Sequence, residues 1–284
     1  MTQRSPLYFA LRRFADNKAA VVSGIVLAVI LLMAIFAPLI SKTGYADQDF
    51  LAQSYAFPSG AFWFGVDDLG RDFFTRIVYG ARVSLTIGFA AAAFSVLIGI
   101  PLGAIAGYYG GWADWGVMRL IELFSVVPPL LAAMLLGALT NGGFLTIVLI
   151  AALFGWVQVC LLVRAQVKAF REKEFVRAAA ALGASPGYII RRHLIPNALS
   201  PIIVGFVLAI PLAMMLEASL SFLGIGVPPP VPSWGQMINV GMNFMYFYWH
   251  LAVFPTAALA ITVLATTLFG DGLRDALDPT LKGR

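Results

Sequence analysis

Charged residues and cysteine are both scarce in this chain, and each scarcity excludes a class of protein. Only 12% of the 284 residues are charged, whereas 60% are hydrophobic and the mean hydropathy is +0.87. A soluble globule of this length needs more polar surface than that, so the composition predicts a multispan membrane protein. The single cysteine, Cys160, excludes a disulfide framework and a cysteine-based metal site. We expect it to be a small buried apolar residue.

Histidine is almost as scarce, which argues against an enzyme. His193 and His250 are the only two histidines, and the predicted topology puts them on opposite sides of the membrane, where they cannot share a metal ion. The H-E-x-x-H spacing of zinc proteases is absent. A hydrolase would need a nucleophile, a base and an orienting acid on one side of the membrane. The chain shows no such set, so an intramembrane enzyme is the least favoured class.

Long apolar runs provide the membrane-crossing segments. A helix needs about 20 mainly apolar residues to cross a bilayer, and six segments qualify: residues 21–40, 83–107, 117–139, 144–163, 199–223 and 250–269. The first run is longer than a signal-peptide core and lacks a convincing cleavage site after it, so we expect it to be retained. The predicted fold class is an all-α polytopic membrane protein with six transmembrane helices and short cytoplasmic coupling helices.

Basic residues predict the orientation of these spans. Cytoplasmic loops of membrane proteins are enriched in Lys and Arg. With the N-terminus inside, only Lys42, Arg71, Arg76 and Arg82 of the 19 basic residues fall outside. The sequence therefore predicts an N-in, C-in topology. The net charge of +5 mostly reflects this topology, so we expect contact with anionic lipid and no nucleic-acid partner.

A basic loop, residues 174–197, separates two of the long apolar runs. A short helix there would carry one apolar, mostly small-residue stripe at i, i+3, i+4 and i+7, formed by Phe175, Ala178, Ala179 and Leu182. Gly183 suits the left-handed residue that ends such a helix. Ser185 before Pro186 indicates the start of a second short helix, which we expect to stop at Pro196. This pattern is typical of a docking surface.

Several of these residues resemble a known motif. Ala178 and Ala179, followed by Gly183 and then by Ile195 and Pro196, resemble the EAA loop in membrane subunits of bacterial ATP-binding-cassette (ABC) importers. In that family the loop enters a cleft on a separate ATPase subunit. The chain departs from the family pattern at Arg177, where glutamate is usual. The resemblance implies an ATPase-coupling loop that contains Glu174, Phe175, Arg177, Ala178, Ala179, Leu182, Gly183 and Pro196.

A longer stretch is similar to one branch of these importers. Residues 65–85, G-V-D-D-L-G-R-D-F-F-T-R-I-V-Y-G-A-R-V-S-L, resemble a segment of the peptide and nickel branch. The turn at 107–119 and the tail at 270–279 are similar to that branch as well, so the likeness covers nearly the whole chain. It implies two parts. Residues 1–64 would form a cytoplasmic arm, the first span and an extracytoplasmic loop, and residues 65–284 a five-helix permease core.

The resemblance also implies a function and a set of partners. The chain would be a permease subunit of an ATP-driven importer of dipeptides or short oligopeptides in the bacterial cytoplasmic membrane. Expected partners are a second homologous permease, two cytoplasmic ATPases, an extracytoplasmic binding protein and the lipid bilayer. The chain has no G-K-[ST] nucleotide motif, since no lysine follows a glycine. We therefore expect no cofactor on this chain, with ATP and Mg bound by the ATPases.

Two carboxylates fall inside predicted spans and support a different function. Glu122 lies near the start of the third span and Glu217 in the outer half of the fifth. Charges at membrane depth are costly, so each is a candidate functional residue, although either side chain could instead reach water or Arg119. Glu217, Ser219 and Ser221 would line one polar face of a pathway, and Glu122 is a further candidate for its lining. The alternative function is an ion- or proton-coupled secondary transporter that titrates Glu122 or Glu217, although no convincing internal repeat is present.

Three further segments are predicted on the outer side. Asp72 and Arg76 have the i, i+4 spacing of an ion pair. Residues 227–235 are proline-rich and should form a stiff extended segment. The aromatic residues of 244–249 suit the headgroup level of a membrane, or alternatively a platform on which a substrate stacks.

Overall fold

The computed structural model describes residues 6–49, 53–140 and 142–277, and almost all of its regular structure is helical. Arg4, Lys282 and Arg284, which contribute to the predicted charge bias, lie outside the described residues. The helices are α1 (Pro6–Asp16), α2 (Lys18–Ile35), α3 (Ala37–Ile40), α4 (Phe73–Tyr109), α5 (Gly111–Val126), α6 (Pro129–Leu139), α7 (Phe144–Arg171), α8 (Glu174–Ala181), α9 (Pro186–Ile189), α10 (Ile195–Asn197), α11 (Leu199–Phe222), α12 (Trp234–Asn243) and α13 (His250–Leu277).

Five of the described helices, α2, α4, α7, α11 and α13, are long and apolar enough to cross a membrane. They coincide with five of the six predicted spans and confirm the all-helical membrane class. The first predicted span is divided, because α2 ends before Phe36 and the proline-containing α3 follows. The longest helix, α4, has 37 residues. Asp72 caps its N-terminus, since the Asp72 carboxylate accepts a hydrogen bond from the Thr75 backbone N–H (3.1 Å).

The third span was predicted as one continuous helix, and that prediction is wrong. Helices α5 and α6 are separated at Val127 and Pro128 and are bent by 80°. A residue that precedes proline is pushed out of the helical region, and here Val127 precedes Pro128, which itself precedes Pro129. Both residues have extended ψ values, 122° and 118°. The pair makes a sixth crossing only if it is counted as one broken span.

Helices α4 and α7 pack together through a row of glycines on α4. Gly99, Gly103 and Gly107 are spaced at four-residue intervals and face the backbone of α7. A Cβ atom at position 103 would lie 2.5 Å from the Cys160 carbonyl oxygen and 2.9 Å from Val163 Cβ. Small residues let two membrane helices approach this closely, and they make α4 and α7 the most intimately packed pair in the described chain.

The helices alternate in direction between two ends. One end, called the loop end, carries residues 174–197. It also holds α1 and the last turns of α13, where the Phe14 and Phe269 rings lie 5.4 Å apart. The opposite end carries the cap, formed by residues 41–49, 53–72 and 223–249. His193 lies at the loop end and buried His250 at the cap end, so the two histidines are separated as predicted.

A buried ionic cluster holds the cap together. Asp67 accepts from Arg71 Nε (2.7 Å), and the Arg76 Nε lies 3.3 Å from the same carboxylate oxygen. Arg76 also donates to the backbone carbonyls of Tyr45 (3.1 Å) and Pro230 (3.4 Å). The predicted Asp72–Arg76 pair is therefore wrong, because Asp72 caps α4 and Arg76 turns inward to Asp67. Arg76 thus connects all three segments of the cap to α4.

Candidate functional site

The loop at residues 174–197 is anchored to the bundle by three buried side chains. Val176, Ile189 and Leu194 pack in one cluster with Val163 and Val167 of α7, and with other residues of α4 and α11. Val176 is 3% exposed and the other two are fully buried. Because both halves of the loop share this cluster with long helices, the loop is a rigid extension of the bundle.

Gly183 ends α8 in the manner predicted. Its φ is +83°, a value that glycine adopts without the penalty other residues incur. The Gly183 N–H donates to the Ala180 carbonyl (3.0 Å) and the Ala184 N–H to the Ala179 carbonyl (3.1 Å). These two bonds form a Schellman motif, which satisfies the last carbonyls of a helix. The direction in which the chain leaves α8 is therefore determined at Gly183.

The predicted apolar stripe of α8 points away from the bundle. Phe175 is 42% exposed and Leu182 is 89% exposed, and Ala178 is also exposed, whereas Ala179 is half-buried. The residue that binds α8 to the bundle is Val176, which the prediction left out. Val176 and half-buried Ala179 are spaced i, i+3, so a second stripe was readable in the sequence. Helix α8 therefore has one apolar face that packs on the bundle and a second apolar face that is exposed to solvent.

The charges of α8 pair locally. Arg177, at the position where the resembling family usually has glutamate, donates to Glu172 (2.8 Å). This hydrogen bond lowers the pKa of the exposed Glu172 carboxyl. Glu174 lies in the first turn of α8, where a negative charge is favourable to the helix dipole. Arg177 is thus engaged within the loop and leaves the exposed apolar stripe uncovered.

The second half of the loop differs from its prediction at one end. Ser185 caps α9 as predicted, since its hydroxyl accepts from the Tyr188 N–H (3.4 Å). Pro196 does not end this segment. A π-helical turn (Ile190–Leu194) leads into α10, where Pro196 occupies an early helical position that needs no N–H, and only Ala198 separates α10 from α11. The loop therefore continues almost directly into a membrane-crossing helix.

Residues 183–187 match a hydrolase pattern that the sequence interpretation overlooked. The spacing Gly183, Ser185, Gly187 is that of G-x-S-x-G, in which the serine sits on a turn between a strand and a helix. Here the preceding element is the helix α8, and the Ser185 hydroxyl is used as a helix cap. The match is therefore a helix start and gives no support to an enzyme.

The first predicted intramembrane carboxylate forms a surface pair. Glu122 lies one turn after Arg119 on α5, and the Arg119 guanidinium donates to it. Both side chains are more than half exposed. This placement agrees with the expectation that the Glu122 side chain could reach Arg119. Glu122 remains available to a neighbouring chain on the open side of α5.

The second carboxylate, Glu217 of α11, lies in a cluster of hydroxyl groups. It is fully buried and accepts from the hydroxyls of Ser84 on α4 (3.0 Å) and Ser221 (2.7 Å). Ser233, the N-cap of α12, also interacts with this carboxyl. The side chains of Glu217 and Ser221 therefore lie in the buried interface between α4, α11 and α12.

Removing the Glu217 side chain is expected to lower the stability of the bundle. In Glu217→Ala two buried hydroxyls lose their acceptor, which costs about 1–3 kcal/mol for each unsatisfied group. Glu217→Gln keeps one acceptor oxygen and should lose less. The unfolding temperature of the purified protein in detergent measures both. Glu122→Ala is the matched control, since exposed ion pairs contribute at most about 1 kcal/mol. An equal loss in Glu122→Ala would contradict this prediction.

Ser219 has a different environment from its two neighbours. It lies on the rim of an open cleft of about 390 Å³ formed by α6, α11, α12 and α13. Other residues that line this cleft include Leu130, Met215, Phe222 and Ile238. The structure thus separates the predicted pathway residues, with Ser219 toward the cleft, Glu217 and Ser221 toward the interior, and Glu122 on the surface of α5.

One partly buried contact at the loop end was missed by the sequence interpretation. Asp114 at the start of α5 accepts from Arg164 of α7, with Arg164 Nη2 and Asp114 Oδ2 2.7 Å apart. The two residues are 50 positions apart, so no local spacing predicts the pair. It ties the bent α5–α6 segment to the α4–α7 pair. No group of three or more His, Cys, Asp and Glu suited to a metal occurs within the described ranges.

Comparison with solved structures defines the class of the fold. Two inward-facing structures of the MetNI methionine ABC transporter match 72% of this chain, with TM-scores of 0.55 and 0.56 and identities of 19% and 18%. The match covers 96% and 97% of those chains. At this identity the likeness establishes the fold alone, which this chain shares with a chain of that ABC transporter.

Family comparison then places the chain more narrowly. Residues 99–283 match the family described as "Binding-protein-dependent transport system inner membrane component", and residues 5–58 match the "N-terminal TM domain of oligopeptide transport permease C". The chain belongs to this family of inner membrane transport components. The predicted resemblance is confirmed, and so is the location in the membrane.

Three curated relatives match over nearly their whole length. The oligopeptide transport system permease protein OppC of Bacillus subtilis is 42% identical over 96% of this chain and 89% of its own. The dipeptide transport system permease protein DppC of Alkalihalophilus pseudofirmus is 40% identical, over 99% and 92%. The glutathione transport system permease protein GsiD of Pectobacterium atrosepticum is 38% identical, over 98% and 93%.

Proposed function

We propose that this chain is a permease subunit that imports dipeptides or short oligopeptides, driven by ATP hydrolysis on separate subunits. The observation that carries the proposal is the exposed apolar stripe of α8 on a rigidly anchored loop. An uncovered apolar surface of this kind is typical of a protein interface. The names of the relatives OppC and DppC support the cargo, since these two are oligopeptide and dipeptide permeases.

The proposed partners follow from the exposed surfaces. A cytoplasmic ATPase would receive the α8 stripe, with Phe175, Ala178 and Leu182 entering its cleft and Gly183 setting the angle of α8. A second, homologous permease would cover the open cleft beside Ser219 and the exposed side of α5 that carries Glu122. An extracytoplasmic binding protein would deliver peptide to the cap. ATP and Mg would bind the two ATPases. This arrangement requires the predicted N-in, C-in orientation, with the loop end in the cytoplasm.

The proposed mechanism uses the rigid attachment of the loop. When the ATPases close, they would displace α8, and the cluster of Val176, Ile189 and Leu194 would pass this displacement to α7 and α11. Because α10 leads almost directly into α11, the side of α11 that carries Ser219 would move with the loop. Such rigid-body motion is a common way to open one end of a pathway while closing the other. Glu217 and Ser221 would keep α11 and α4 together during the motion.

Reconstitution tests this proposal against the alternative of an ion-coupled transporter. The chain is co-expressed with its candidate permease and ATPase subunits, purified from membranes and placed in vesicles with binding protein and labelled dipeptide. We expect the subunits to co-purify and uptake to require ATP. Uptake by this chain alone under a proton gradient would overturn the proposal. A complex that assembles and hydrolyses ATP but transports no peptide would overturn the proposed cargo alone.

A further inference from the structure

A second concave surface, which the proposed transport mechanism does not use, lies on the outside of the bundle. It is a groove of about 280 Å³ between α2, α4 and α13, with Trp234 of α12 at one end. Its walls include Ile25, Val29 and Met33 of α2, Ile77 of α4 and Ala258 of α13. None of the residues that line the groove is charged.

The few polar atoms in this groove are already paired inside the protein. The Trp234 indole N–H donates to the Ile77 carbonyl (3.0 Å), and the Thr262 hydroxyl donates to the Ala258 carbonyl (2.7 Å). A polar ligand would therefore find no free donor there, and its own polar groups would be desolvated without compensation. The lining fits an occupant that is entirely hydrocarbon.

The groove opens onto the surface that faces lipid. Its rim residues Ile25, Val29 and Ile261 are each at least half exposed, and the membrane-crossing window of α2 is only 17% buried. A single hydrocarbon chain is an occupant that an uncharged groove of about 280 Å³ can accept.

The length of the groove agrees with a lipid tail. From Ile25 to Met33 the wall formed by α2 rises about 12 Å at 1.5 Å per residue. One leaflet of the hydrocarbon core is about 15 Å thick, half of the roughly 30 Å total. The groove therefore extends over most of one leaflet, on the side of the membrane nearer the cap.

We infer that this groove is a binding site for one acyl chain of a membrane phospholipid. The chain would fill the space between α2 and the α4–α13 wall and end near Trp234, whose side chain is 1% exposed. In that position the lipid adds to the direct contacts that α2 makes with α13 and α4. The inference depends on the membrane location of the protein and is independent of its cargo.

Trp234 provides a direct test, because a heavy atom on a lipid tail quenches the fluorescence of a tryptophan that lies close to it. The complete complex is placed in nanodiscs of phosphatidylcholine that is brominated at mid-chain or unmodified. The Trp234 signal is the difference in emission between the wild type and Trp234→Phe. We expect brominated lipid to quench that signal in the wild type, and Ala258→Leu, which fills the groove, to restore it. Ala260→Leu adds the same volume at an exposed position of α13 and is expected to leave the quenching intact.

A second measurement does not depend on Trp234→Phe folding normally. Native mass spectrometry counts the phospholipids retained by the wild type, Ala258→Leu and Ala260→Leu after mild delipidation. We expect Ala258→Leu alone to lose one retained lipid. A wild-type Trp234 signal that brominated lipid does not change would overturn the inference, since the groove would then be empty or filled by side chains of a partner. Equal numbers of retained lipids in Ala258→Leu and Ala260→Leu would also overturn the inference.

Discussion

Replacing Gly183 by proline is expected to abolish ATP-driven uptake while the membrane-crossing helices remain folded. Proline fixes φ near −65°, whereas Gly183 has a φ of +83°, so the Schellman motif cannot form. Proline also removes the N–H that donates to the Ala180 carbonyl. The exit from α8 would change direction, and the exposed stripe would no longer meet its partner. Co-purification of the ATPase and uptake of labelled dipeptide measure the effect, and we expect both to be lost.

Gly187 provides the matched control for this experiment. It lies four residues away in the same loop, and a Cβ atom there would meet nothing within 4 Å. Gly187→Ala should therefore retain both ATPase binding and uptake. If Gly183→Pro still binds the ATPase and transports at the wild-type rate, α8 is not the coupling element. If Gly183→Pro fails to reach the membrane, Gly183→Ala provides a milder strain at the same position, and we expect it to weaken both activities without loss of protein.

Replacing Gly103 by alanine is expected to destabilise the bundle strongly, although it adds only a single methyl group. The added Cβ would lie 2.5 Å from the Cys160 carbonyl oxygen, and a backbone atom cannot move aside alone. Helices α4 and α7 would have to separate, and the contacts of Gly99 and Gly107 along the same row would loosen with them. Overpacking in a well-packed interior typically costs about 1–3 kcal/mol, occasionally more. The unfolding temperature and the yield of monodisperse protein in detergent should both fall.

Gly116 on α5 separates this packing effect from the general effect of glycine to alanine changes. A Cβ atom at position 116 would meet nothing within 4 Å, and alanine is the better helix former by about 1 kcal/mol. Gly116→Ala should therefore keep or slightly raise the unfolding temperature. An unchanged unfolding temperature in Gly103→Ala would show that α4 and α7 do not meet in backbone contact at Gly103.

The sequence predicted which segments cross the membrane better than it predicted where a helix is interrupted. Five of the six apolar runs contain a helix long enough to cross a membrane, because hydrophobicity over about 20 residues is a strong signal. The third run is also apolar enough to cross, yet it bends by 80° at Pro128 and Pro129. Both prolines were visible, but membrane helices often contain proline without breaking, as α4 does at Pro101 and α11 at Pro211. Hydropathy alone does not distinguish these cases.

The candidate site was predictable where its contacts are local in sequence. The cap at Ser185 and the left-handed Gly183 followed from residue type and spacing. The surroundings of Glu217 did not, because its partner Ser84 is 133 residues away. The same reason applies to Arg76, whose nearby Asp72 suggested a pair that the more distant Asp67 forms instead. Contacts across the bundle depend on how helices are rotated against each other, which one sequence does not show.

The length of α4 has a mechanical consequence. Its 37 residues measure about 55 Å at 1.5 Å per residue, well beyond the roughly 30 Å of a hydrocarbon core. One stiff rod therefore runs from the cap, where it carries Arg76, to the turn beside the anchored loop. A tilt imposed at one end of α4 must therefore displace its other end as well. A movement at the cap can thus reach the loop end through the backbone of one helix, without a chain of side-chain contacts between them.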